Sequence, residues 1–81
     1  MTTAAAMKTV YIVQSFVKGR RGLTAERPAL ASSEGAAIRM AERLSNTKLG
    51  VLAFAQTGDP EMGEFDVPVI LASHGQVPEM D

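Results

Sequence analysis

The residues able to do chemistry in this chain are few and scattered. His74 is the single histidine and there is no cysteine, so the Cys/His sets that hold zinc cannot be assembled. Ser73 precedes His74, but neighbours in an extended chain point to opposite faces, so adjacency alone makes no nucleophile–base pair. A lone histidine near a strand end reads as a surface residue. The acidic run Asp59-Pro60-Glu61-Met62-Gly63-Glu64-Phe65-Asp66 lacks the calcium-loop spacing, which needs oxygen ligands at positions 1, 3, 5 and 12. It reads as a solvated hairpin loop. Gly19-Arg20-Arg21-Gly22 sets two cations between two glycines without a phosphate-loop pattern. Lys18, Arg20 and Arg21 are therefore the candidate nucleic-acid contact, a basic tip able to meet phosphates. No catalytic, metal or cofactor constellation stands out, so the expectation is a protein that is not an enzyme and carries no cofactor.

The element that positions everything else is the helix expected within Ser32 to Asn46. Ala37, Met40, Ala41 and Leu44 recur at i, i+3, i+4 and i+7 and form one apolar stripe. Ser32 or Ser33 can cap its first turn, and Glu34 complements the positive end of its dipole. Strand-like sequence lies on both sides. Lys8 to Lys18 alternates Val10, Ile12 and Phe16 with Tyr11, Val13 and Val17, so both faces are apolar. Leu23 to Ala31 follows the glycine turn and carries Pro28, which cannot donate to a ladder and suggests an edge. Leu49 to Thr57 is again apolar on both faces. Phe65 to Ser73 carries Pro68, a second edge signal.

The expected architecture is α+β, a ββαββ unit with a four-stranded antiparallel sheet in the order 2-1-3-4 and one helix on one face. It spans residues 8–75, with a disordered leader at 1–7 and a disordered tail at 76–81. Met1 and Met7 are both possible starts.

Eighty-one residues make one small domain, a size at which only about 60% of the unfolded surface is buried. Without cysteine there is no disulfide to reinforce it, which leaves oligomerisation as the common remedy. No apolar run reaches membrane-span length and the N-terminus is a poor signal peptide, so the expected compartment is the cytoplasm, away from membranes. The charge is lopsided. Through Lys48 there are eight bases against three acids, a net +5; beyond it there are six acids and no base, −6. One helix covers one sheet face, so the other would stay open and apolar. Monomers rarely expose such patches beyond a few hundred Å². A homodimer is expected, with Val10, Ile12 and Phe16 toward the helix and Tyr11, Val13, Val17, Val51 and Ala53 as the dimer face.

The segments Tyr11-Ile12-Val13-Gln14-Ser15-Phe16, Ala41-Glu42-Arg43-Leu44 and Gly58-Asp59-Pro60-Glu61-Met62-Gly63-Glu64-Phe65 together resemble a group of short uncharacterised bacterial proteins. That resemblance implies no activity, cofactor or site residue. The first segment is also similar to the opening of peptidoglycan-binding SPOR domains, whose second helix this chain lacks. The functional expectation is a small self-associating domain that docks a further protein. The alternative is a nucleic-acid-associated regulator working through the basic hairpin.

Overall fold

Ser33 is extended (φ −160°, ψ 170°) and its hydroxyl accepts from the Ala36 N–H at 3.1 Å, which starts a helix α1 over Glu34–Leu44. That bond satisfies one of the first-turn N–H groups left without an intrahelical acceptor. The helix stops in a polar run. Ser45, Asn46 and Thr47 each turn a side-chain donor back to the carbonyl three residues earlier, on Glu42, Arg43 and Leu44. The computed structural model describes residues 7–59 and 61–78. The expected start sites and leader fall mainly outside that range, with Met7 an exposed residue at its edge.

Around α1 lie β1 (Lys8–Gly19), β2 (Gly22–Ala25), β3 (Ala29–Ala31), β4 (Gly50–Asp59), β5 (Glu64–Phe65) and β6 (Val69–Gly75). The sheet is antiparallel throughout, and its long central pair runs in register from Lys8↔Gly58 to Phe16↔Gly50. The fold is thus α+β with one helix, but the sheet has six strands rather than four. The order is β2-β1-β4-β5, with β3 also beside β1 and β6 also beside β4. The difference has one cause, acting twice. Each expected proline-bearing strand is broken just before its proline, where the ladder loses a donor.

A glutamine patches each break. The Gln14 side-chain amide donates to the Glu26 carbonyl, two residues before Pro28. The Gln56 amide donates to the Asp66 carbonyl, two residues before Pro68. Backbone bonds from Glu26 N–H to Ser15 O (3.0 Å) and from Asp66 N–H to Thr57 O (2.8 Å) hold the same corners. These glutamines interrupt the apolar alternation because a carbonyl freed by a broken strand needs a donor.

The core lies between helix and sheet: Ala37 and Ala41 meet Val13, Val51 and Ala53, flanked by Tyr11, Met40, Leu44 and Leu71. The stripe of α1 therefore faces inward as its period requires. Between Ala53 and Phe54 the β4–β6 register slips by one residue. The bulge lets consecutive residues Leu71 and Ala72 both pack on the core and returns Ile70 to the opposite side beside Phe54. Gln76, the first residue of the expected tail, is bonded to the residue just before β4. Its N–H donates to Leu49 O at 2.9 Å, and Val77 is half-buried; residues 79–81 lie outside the described range.

Candidate functional site

The helix sits on the side of the sheet opposite to the one expected. Tyr11, Val13, Val51 and Ala53, expected to form an open dimer face, pack in the core instead. Val13 is 1% exposed. Val17 shares their side by alternation along β1 and is half-buried. The physical reason is size. Ala37 and Ala41 let α1 approach closely only where the sheet is also small-featured, and Val51, Ala53 and Ala55 provide that side of β4. Leu52 and Phe54 are too bulky for it.

The open side is the other one. Register places Leu30 opposite Ile12, Ile12 opposite Phe54 and Phe54 opposite Ile70, so one apolar row crosses the whole sheet. Leu30 is 71% and Ile70 51% exposed, and Val10, one step along β1 on the same side, is 40% exposed. Toward the other end the tail crosses the sheet above Gly50, where a Cβ would run into the Gln76 backbone. Leu52 and Ile70, with Val67, Val77 and Pro78 from either side of β6, line a groove of about 420 Å³ there.

The charged loops lie at opposite ends. Gly19 pairs with Gly22, so Lys18, Arg20 and Arg21 stand at the far end of β1, all exposed. None has an ion-pair partner among the described residues, where the one salt bridge is Lys48 to Glu26 at 2.9 Å. Gly58 pairs with Lys8 and Asp59 with Glu64, so the acidic loop stands at the near end. Asp59 shapes that loop, its Oδ1 accepting from the N–H groups of Glu61 (3.0 Å) and Met62 (3.3 Å). Glu61, Glu64 and Asp66 are exposed. At about 3.3 Å per residue, the 12 residues of β1 hold the two loops roughly 40 Å apart in a molecule 51 Å long. Lys18, Arg20 and Arg21 thus stand at one end of the sheet and Asp59, Glu61, Glu64 and Asp66 at the other, with Lys8 beside the acidic loop.

His74 is not at the surface as expected. It is half-buried, paired opposite Val51, and its Nε2 is enclosed without a hydrogen-bond partner among the described residues. Alternation puts Ser73 on the other side of the sheet, opposite Leu52. Among the described residues no three His, Asp or Glu side chains gather as a metal site would require, and no helix is long and apolar enough to cross a membrane. No aromatic side chain stands at the basic tip: Phe16 is buried and Phe65 lies at the acidic pole. No protein-family model, curated protein or solved structure matches the chain.

Proposed function

We propose that this is a small non-enzymatic cytoplasmic domain that works as a homodimer, joined through the sheet face opposite α1. The observation that carries this reading is the row Leu30, Ile12, Phe54 and Ile70 with Val10 beside it, apolar residues left open across the full width of the sheet. The row is the open part of that side, since Phe16 and Leu52, further along β1 and β4 on the same side, are buried. A second copy presents the same exposed apolar row, so it matches the face in chemistry. Sedimentation at micromolar concentration tests it: a dimer is expected, and a monomer at every concentration reached would refute it.

A second reading rests on the exposed cations Lys18, Arg20 and Arg21 at one pole. Three cations without a stacking aromatic suit weak, sequence-independent phosphate contact. A low-salt titration with duplex and single-stranded DNA decides it. Binding that weakens with salt and is lost in the Arg20→Ala, Arg21→Ala double variant supports this use of the tip. No binding at low salt removes it.

A further inference from the structure

We infer that the two copies pack antiparallel, each basic hairpin tip lying against the acidic loop of the other copy; this rests on the dimer just proposed and specifies its geometry. Two identical sheets stacked face to face by a two-fold axis have two simple arrangements. With the axis along the strands, tip meets tip and loop meets loop. With the axis across the strands, tip meets loop at both ends.

Electrostatics separates the two. The tip carries Lys18, Arg20 and Arg21, and the loop carries Glu61, Glu64 and Asp66 as exposed carboxylates. Tip on tip gathers six cations within a few ångströms, and loop on loop gathers as many anions. Tip on loop pairs opposite charges twice. The midpoint of Lys8–Gly19, where a cross-strand axis must pass to bring tip over loop, falls between Val13 and Gln14. The apolar row crosses β1 at Ile12, within about 5 Å of that midpoint at strand rise. A two-fold axis doubles that offset, so bringing tip over loop sets the two apolar rows about 10 Å apart, side by side. In the other arrangement hydrophobic burial is bound to like-charge contact.

Salt dependence has opposite signs in the two cases. Screening weakens an antiparallel dimer and strengthens a parallel one. Charge reversal at Arg20 and Arg21 to Glu is expected to raise Kd roughly tenfold at low salt, since each exposed ion pair contributes little and two ends are affected. At high salt the change should shrink.

The absence of cysteine permits a direct test. Arg21→Cys and Met62→Cys are prepared singly, treated with a short bis-maleimide, and run alone and mixed, with sedimentation of each in parallel. The expected result is a covalent dimer in the mixture and none in either variant alone. A sedimenting dimer in which Arg21→Cys cross-links to itself overturns the antiparallel arrangement and leaves the dimer standing. A sedimenting dimer with no cross-link in any arm likewise shows that the poles do not meet. A monomer overturns both.

Discussion

Ile12 and Val13 are neighbours in β1 with similar side chains, and the fold gives the same perturbation opposite consequences at the two positions. Val13 is 1% exposed, enclosed by Ala37, Ala41, Val51 and Ala53. Val13→Asp forfeits about 1.5–3 kcal/mol of side-chain burial. It also leaves a carboxylate, or its protonated form, without a partner in that space, at several kcal/mol more. A domain of this length has a total stability of roughly 4–12 kcal/mol. The variant is expected to be largely unfolded, with its amide dispersion and far-UV signal lost at 25 °C. Ile12 lies on the open side between Leu30 and Phe54 and is only half-buried. Ile12→Asp should cost the monomer about 1 kcal/mol, the ordinary scale of a point change away from the core. Its larger effect should be on association, since a carboxylate in the middle of the apolar row cannot be buried unpaired. The assay is a urea melt of both variants, followed by sedimentation of whichever remains folded. A folded Val13→Asp protein with an unchanged midpoint would refute the assignment of core and open face, and so would a folded Ile12→Asp that still dimerises like the parent.

Leu44→Ala removes a partly buried member of the helix stripe and should lower stability by about 2–3 kcal/mol, the low end for a leucine truncation; a urea midpoint that does not move would mean the stripe carries no packing. Gln14→Leu takes away the donor to the Glu26 carbonyl at the β2–β3 break. It is expected to cost about 1 kcal/mol and to speed amide exchange of Glu26, whereas unchanged exchange there would show the patch to be unimportant. Gly50→Ala drives a Cβ into the Gln76 backbone. Because backbone cannot swing aside as a side-chain tip can, the tail should detach, read as loss of protection at the Gln76 amide and a drop of about 1–3 kcal/mol.

Much of this molecule is legible one residue at a time. The helix follows from the period of Ala37, Met40, Ala41 and Leu44 and from a serine at its start, because helix periodicity and capping are local properties. Pro28 and Pro68 mark the weak points of the outer strands for an equally local reason, a missing N–H. What local pattern leaves open is parity. In β1 the Val10/Ile12 set and the Tyr11/Val13 set are equally apolar, so hydrophobicity alone assigns neither to the helix. A finer cue was present, since the alanines of α1 call for the small set Val51, Ala53 and Ala55, and β4 then fixes β1 through register. Nor does the sequence place the charges in space. The basic hairpin and the acidic loop become two poles only because β1 and β4 run antiparallel over nine residue pairs, carrying Gly19–Gly22 and Asp59–Glu64 to opposite ends of one sheet. The elements were set by the sequence through local sterics and hydrogen bonding. Which face is covered and where the charges stand was decided by packing between elements distant in the chain.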